Sequence, residues 1–431
     1  MEGHLLMSRK ELGRKTILEL VKDKRITLVQ ASKRMHLGYR QTLRVYERFV
    51  SEGAEGLVHR SRGRPSNRAY PRSFRDKVLA RYRERYKKVD CGPTLAAEKM
   101  AKEGLAVDHE TLRRWLLAEG EWEKHRKGRS HRSRRERRGH FGELVQMDGS
   151  HHNWFGPDKD KACLMNMVDD ATGRTTGLMD HQETTEAAMH LLRRWIERYG
   201  IPLALYTDKK NVYITEREPT LEEQLAGEEP MTAFGKACHK LGIEIIPAHS
   251  PQAKGRVERS NGVYQDRLVK ELALQRITTI PTANKLLQNG FTDELNERFA
   301  VTPREKRDAH RPIPKGLRLD DVFCIEEHRV LQNDWCIRHQ NRYFQVFKDN
   351  KPMPKPKDKI LVRTHLDGAI ALLHREKPLA GQWLTPKAYQ KQIKEAPMAQ
   401  PTKTERPKTP KQTPWRQGCT LMAADSARES V

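Results

Sequence analysis

The chain is predicted to be multidomain, with an α/β core over residues 141–275, all-α modules ahead of it and a small β-barrel-like domain behind it. Three observations predict this. Apolar residues recur at helical spacing up to residue 122, strand-like and helix-like patterns alternate from 141 to 275, and strand-like alternation returns between 319 and 376. With 431 residues, the chain is long enough to bury several cores.

Residues 8–55 read as three short helices, about 10–22, 27–35 and 39–51, with Thr27 an N-cap and Gly38 at a turn. The third, YRQTLRVYERFV, sets Leu43, Tyr46 and Val50 on one face and Arg40, Gln41, Arg44 and Arg48 on the others. A basic second helix after a tight turn is what a helix-turn-helix places in the major groove, so Arg40, Gln41 and Arg44 are expected DNA contacts. The linker 56–69 holds Arg62-Gly63-Arg64-Pro65, which resembles an AT-hook whose two arginines, Arg62 and Arg64, enter a narrow minor groove. Residues 70–122 repeat the tri-helical pattern as a second helix-turn-helix module. There Asp108 is an N-cap, Leu112, Trp115 and Leu116 form the buried stripe, and Arg113 and Arg114 face outward to DNA. In the linker 123–140, KHRKGRSHRSRRERRGH carries nine Lys or Arg and one acid, which makes it a solvated segment.

The charge balance fits this picture. Eighty-two Lys and Arg against 57 Asp and Glu leave a net +25, and so large an excess favours a polyanion, nucleic acid before membrane surface. No window approaches the ~18 apolar residues of a spanning helix, and MEGHLLMSRKELGRK lacks the apolar core of a secretion signal, so a cytoplasmic protein without a membrane partner is expected. The six cysteines never occur as C-x-x-C, and reduced, packed thiols without structural zinc are expected.

In the core, GELVQMD, KACLMNMVDDATG and RTTGLMDHQ read as three strands. TTEAAMHLLRRWIERYG reads as a helix that Gly200 stops, and PLALYTD as a strand ending in Asp208. A helix, MTAFGKACHKLG, a strand, IEIIPAH, and a helix opened by Ser250 and Pro251 complete the order βββαβαβα. That is the order of the ribonuclease H-like fold, in which the first and fourth strands are neighbours. Asp148 and Asp208 then lie at adjacent strand ends. On the last helix, Val257, Tyr264, Leu268 and Leu272 line one face, while Lys254, Glu258, Asn261 and Gln265 follow another. Glu258 is therefore the natural third carboxylate.

With QMDGS around Asp148, YTDK around Asp208 and AHSPQAKGRVERSNG around Glu258, the core resembles the DDE transposase and retroviral integrase superfamily. The whole chain is similar to bacterial insertion-sequence transposases, particularly the group called ISNCY. The resemblance implies that Asp148, Asp208 and Glu258 are catalytic and hold two Mg²⁺ or Mn²⁺ ions. It also implies DNA partners (transposon ends and target), a homo-oligomeric synaptic complex and a nucleoid-associated place in the bacterial cytoplasm. Hard cations prefer oxygen ligands, and two of them can activate an attacking oxygen and stabilise a leaving one, so ends are cut to free a 3′-OH that then attacks target DNA. One departure is a gap of 49 residues between Asp208 and Glu258, longer than is common in the superfamily. ITEREPTLEEQLAGEEP accounts for it as a surface insertion without strand or amphipathic helix pattern.

Asp169 and Asp170 read as a turn, and His151 and His152 as hydrated loop histidines. Lys209, Lys254, Arg256 and Asn261 flank the three acids and are expected to contact DNA. Residues 276–318 read as a helical connector, and 319–376 as the barrel-like domain with Asp367-Gly368 at a hairpin. Residues 377–431, rich in Pro, Lys and Thr, read as a disordered basic tail. The alternative reading is a catalytically silent DNA-binding regulator derived from a transposase.

Overall fold

Ser8 and Glu11 stand at the spacing of a capping box, and a helix starts between them in the structure, a computed structural model that describes residues 6–63, 69–123, 136–227, 229–248 and 254–395. The fold divides into two units, Met1–His131 with Ala273–Arg276, and the remainder.

In the first unit, α1 (Arg9–Lys22), α2 (Leu28–Met35) and α3 (Tyr39–Glu52) enclose a core of Leu18, Ala31, Met35, Val45, Phe49 and Leu57. Thr27 caps α2 in a second capping box, and Gly38 stands at the N-cap of α3. The phase of α3 differs from the sequence expectation. Thr42, Val45 and Phe49 are buried, whereas Val50 is 57% exposed, because α3 carries two apolar stripes and packing on α1 and α2 selects one.

Arg62 is not free for a minor groove here: its guanidinium donates to the Leu6 carbonyl and to the Glu11 carboxylate. Arg64 lies outside the described residues. The Ser8 backbone N–H and the Arg62 guanidinium hold the Glu11 carboxyl below its ordinary 4.5, at about 2. A carboxyl lowered on folding stabilises the fold fully above its unfolded value and loses that contribution as pH falls through the folded value. Amide-exchange protection of α1 is therefore expected to fall between pH 4.5 and about 2. In Glu11→Gln it should start lower at neutral pH and stay flat over that window.

The second helical group has α4 (Arg72–Arg81), α5 (Pro93–Lys102) and α6 (His109–Ala118), with a π turn over Tyr82–Tyr86. Val78, Tyr82, Tyr86, Met100, Leu112 and Leu116 fill its core. Asp108 accepts from the N–H groups of Glu110 and Thr111, as an N-cap does. Arg113 is held by both carboxylate oxygens of Glu110 at 2.6 and 2.7 Å, an i,i+3 pair, while Arg114, 3.5 Å from the same carboxylate, stays exposed.

The second unit is built on β1 (Leu144–His152), β2 (Ala162–Asp169), β3 (Thr175–Asp180), α7 (Thr185–Tyr199), β4 (Ala204–Thr207), α8 (Leu221–Ala226), α9 (Ala233–Lys240), β5 (Glu244–Pro247) and α10 (Gly255–Leu274). The sheet order is β3-β2-β1-β4-β5, with β1 parallel to β4 and antiparallel to β2. This mixed order is that of the ribonuclease H-like core. β2 is buried along its whole length because both faces are covered. Val145, Met147, Cys163, Met165 and Met167 pack with Trp195, Ile196 and Phe234 of α7 and α9. On the other face Leu164 and Met179 meet Tyr264, Leu268 and Leu272 of α10.

Three segments depart from expectation. The acidic insertion contains α8, opened by a capping box of Thr220 and Glu223. The segment 276–318 is no mere connector. Its α11 (Ile280–Leu286), a π turn over Leu287–Phe291 and α12 (Thr292–Phe299) put Ala283, Leu287, Phe291 and Leu295 into the core beneath the sheet. The terminal module, after α13 (Leu319–Val322), runs through β6 (Cys324–Val330), β7 (Cys336–His339), β8 (Arg342–Val346), β9 (Lys359–His365), β10 (Ile370–His374), β11 (Lys377–Pro378) and β12 (Gly381–Leu384). These strands form a four-stranded and a three-stranded sheet around Ile337, Phe344, Ile360, Val362 and Leu372, rather than one barrel. β11, β12 and α14 (Pro386–Glu395) occupy the start of the expected tail, and residues 396–431 lie outside the described residues. No helix among the described residues is long and apolar enough to cross a membrane. Cys91, Cys163, Cys238, Cys324 and Cys336 are buried thiols.

Candidate active site

Strand alternation sends Val145 and Met147 into the core and turns Gln146, Asp148 and Ser150 towards α10. Each of those polar residues finds a partner there. Gln146 Oε1 accepts from the Val257 N–H at 3.2 Å, Asp148 Oδ2 from Asn261 Nδ2 at 3.2 Å, and Ser150 Oγ from Gln265 Nε2 at 3.0 Å. The polar stripe of α10 therefore lies along β1.

Asp148 sits in mid-strand, not at the strand's end. β1 continues to His152 by pairing with β2, so His151 and His152 are strand residues and not loop residues. The parallel pairing with β4 stops at Gln146, which leaves the Asp148 side free. Asp208 directly follows Thr207, the last residue of β4. The two aspartates meet at one cation, the Lys254 ammonium, 2.8 Å from Asp148 Oδ1 and 3.9 Å from Asp208 Oδ2.

In this structure Lys254, expected to contact DNA, faces the two aspartates instead. It is 8% exposed, immediately ahead of α10, and a buried ammonium needs an anionic partner. Asn261 is likewise turned inward, donating to Asp148 and accepting from Asn166 Nδ2 at 2.9 Å. Arg256 donates its Nε–H to Asp170 at 2.8 Å. Asp170, wholly buried, also accepts from Gln146 Nε2 and the Arg138 N–H, and so ties the start of α10 to the sheet. Asp169 is equally buried, and burial pushes its carboxyl up although Thr172 and the Gly142 N–H donate to it. Lys209 is exposed beside Asp208.

Glu258 follows Lys254 by one turn and precedes Asn261 by another, on the stripe that meets β1. Its side chain is exposed, and among the described residues no three His, Cys, Asp or Glu side chains are grouped closely enough to hold a metal ion. The expected meeting of three carboxylates is thus not formed in this structure. Lys254 fills the place between the first two, and residues 249–253, which include Ser250 and Pro251, lie outside the described residues.

A carboxylate absent from the sequence expectation does stand in the site. Glu183 follows β3 and precedes Thr184, the N-cap of α7. Its side chain is 5% exposed. Oε2 lies 2.5 Å from Lys210 Nζ, and Oε1 accepts from the Tyr213 hydroxyl at 2.8 Å. Lys210 Nζ is also 3.2 Å from Asp208 Oδ2. Burial opposes the Lys210 charge, but Glu183 and Asp208 outweigh it and raise the ammonium's pKa. An acid at a strand-to-helix junction was the available signal for Glu183.

No family model matches the chain. Curated relatives do match. The chain is 40% identical over 332 residues, 76% of this chain and 71% of the other, to y4bF of Sinorhizobium fredii, which bears the name of a transposase. It is 29% identical over 439 residues, 93% of this chain and 92% of the other, to the transposase for insertion sequence IS1202 of Streptococcus pneumoniae. Among solved structures it is similar to the HTLV-2 integrase catalytic core domain in complex with magnesium (22% identity, TM-score 0.27, 36% of this chain and 88% of that one). Another is the simian T-cell lymphotropic virus intasome in complex with a PP2A regulatory subunit (19% identity, TM-score 0.29, 68% of this chain and 93% of that one). The 40% identity to y4bF, running through 76% of one chain and 71% of the other, shows that this chain belongs to the transposases, enzymes of DNA transposition.

Proposed function

We propose that the chain recognises the ends of its own insertion sequence through its helical modules and, at Asp148, Asp208 and Glu258, cuts those ends and joins the freed 3′-OH groups to target DNA. The observation that supports this most is the shared Lys254 ammonium, since two carboxylates from adjacent parallel strands converge on one point that holds positive charge. The donors there are carboxylate oxygens, which suit Mg²⁺ or Mn²⁺, and the ammonium is a stand-in cation between them. Asp148 and Asp208 would hold the metal, with Glu258 as third ligand because it lies between two residues that bond Asp148. When bound, two such ions activate the attacking oxygen and stabilise the leaving one.

The chain's own residues orient the rest. Asn261, itself hydrogen-bonded by Asn166, donates to one oxygen of Asp148, while the N–H of Lys210 donates to Asp208 Oδ1 at 3.2 Å. Exposed Lys209 suits a phosphate of the incoming strand. Arg40, Gln41 and Arg44, all exposed on α3, suit groove reading in a helix-turn-helix manner, and exposed Arg114 suits backbone contact. Several copies would hold both ends in one synaptic complex.

The test is the purified full-length chain with Mg²⁺ and duplexes that carry the element's ends. Nicks exposing a 3′-OH and strand transfer into a plasmid are expected, both lost on adding chelator. Selective end binding with neither product would favour the second reading, a catalytically silent regulator. The exposed position of Glu258, apart from the two aspartates, is the observation on that side.

A further inference from the structure

The chemistry proposed above makes no use of Glu183, yet its carboxylate is buried against the catalytic strand. A Cβ on Gly149, the residue after Asp148, would stand 2.6 Å from Glu183 Oε2, so glycine at that point is what lets the carboxylate lie over β1. A desolvated carboxylate needs compensation, and Glu183 has it from the Lys210 ammonium and the Tyr213 hydroxyl. The same ammonium reaches Asp208, but at 3.2 Å against 2.5 Å to Glu183. One positive charge is thus divided between a carboxylate that would hold metal and one that would not, and the second has the larger share.

We propose that Glu183 is a positioning residue that draws the Lys210 ammonium off Asp208 and so leaves Asp208 available to a divalent cation. The inference rests on the reading that Asp148 and Asp208 are cation ligands. Without the Glu183 charge, Lys210 pairs wholly with Asp208, and an incoming cation must displace it. Without the Lys210 charge, Glu183 becomes an uncompensated negative charge beside Asp208 and attracts the cation. The two changes act with opposite signs, and together they restore the original local charge.

Mn²⁺ binding to the full chain, followed by titration calorimetry with the unfolding temperature measured in parallel, tests this. Glu183→Gln should weaken Mn²⁺ binding on the order of tenfold, and Lys210→Met should strengthen it by a similar factor. The double variant should return to within about twofold of the parent, as it does when opposite charge effects cancel. Lys210→Arg, which keeps the charge, should bind as the parent does and covers the case in which Lys210→Met fails to fold. Single variants that shift binding in the same direction, or not at all, would overturn the inference. If the parent chain itself binds no Mn²⁺, or binds it unchanged after Asp148→Asn with Asp208→Asn, the cation reading fails, and the positioning role fails with it.

Discussion

Asp148→Asn and Asp208→Asn are each expected to lower end cleavage and strand joining by roughly a thousandfold or more, equivalent to about 4 kcal/mol of transition-state stabilisation. The amide keeps the size and shape of the side chain and removes the charge that draws a divalent cation. Binding of end DNA should be nearly unchanged, because the groove-reading residues proposed for that step lie in the first unit, with Arg40, Gln41 and Arg44 on α3. Glu258→Gln should match the two aspartate variants. Asp169→Asn should cost activity much less, since that carboxyl is buried among Thr172 and the Gly142 N–H. Paired assays of plasmid transposition and end binding check this. Parental activity in Asp148→Asn with a blunt loss in Asp169→Asn would reverse the assignment.

The largest expected effect on stability is at Asp170. This side chain is wholly buried and holds Gln146, the Arg138 N–H and Arg256 together. Asp170→Ala takes the carboxylate from a largely buried guanidinium and leaves the other donors without their acceptor. Breaking a buried pair in this way typically costs about 3 to 5 kcal/mol. Denaturant unfolding of the second unit should show a loss of that size. Asp170→Asn, which keeps one acceptor oxygen, should lose less. Because Arg256 stands in the first turn of α10, two residues before Glu258, the Ala variant should also lower activity through the helix start. A change below about 1 kcal/mol, the range of an exposed pair, would show that the network does not anchor α10.

Asp148 and Asp208 are legible in the sequence because each follows an apolar strand pattern, and the order βββαβαβα makes their strands neighbours. The buried stripe of α10 is equally legible, since Val257, Tyr264, Leu268 and Leu272 repeat at helical spacing and are all buried. What lies opposite the polar stripe is not legible. Helical spacing places Lys254, Asn261 and Glu258 on one side but does not say whether that side meets a strand or solvent, so Lys254 and Asn261 read as DNA contacts although they face Asp148.

Glu183 is hidden for a related reason. Its partners Lys210 and Tyr213 are 27 and 30 residues away in the chain, and only the fold brings them together. The α3 phase was ambiguous between two apolar stripes, and tertiary packing decided it. In the terminal module, Lys and Pro conceal the strand Gly381–Leu384, which packs Trp383 on the core, and the helix Pro386–Glu395, whose Tyr389 ring stacks on Tyr343. Arg62 and Arg113 read as free cations because charge composition does not show a pairing such as theirs with Glu11 and Glu110.

The most direct measurement is anomalous diffraction from crystals of the full chain bound to a precut end of its element and soaked with Mn²⁺. Manganese should appear on the carboxylates of Asp148 and Asp208 with Glu258 as a further ligand, and the Lys254 ammonium should have left its place between the two aspartates. Manganese bound elsewhere, or a Lys254 that still bridges Asp148 and Asp208 with the DNA end in place, would contradict the assignment of these three acids as the metal-binding centre.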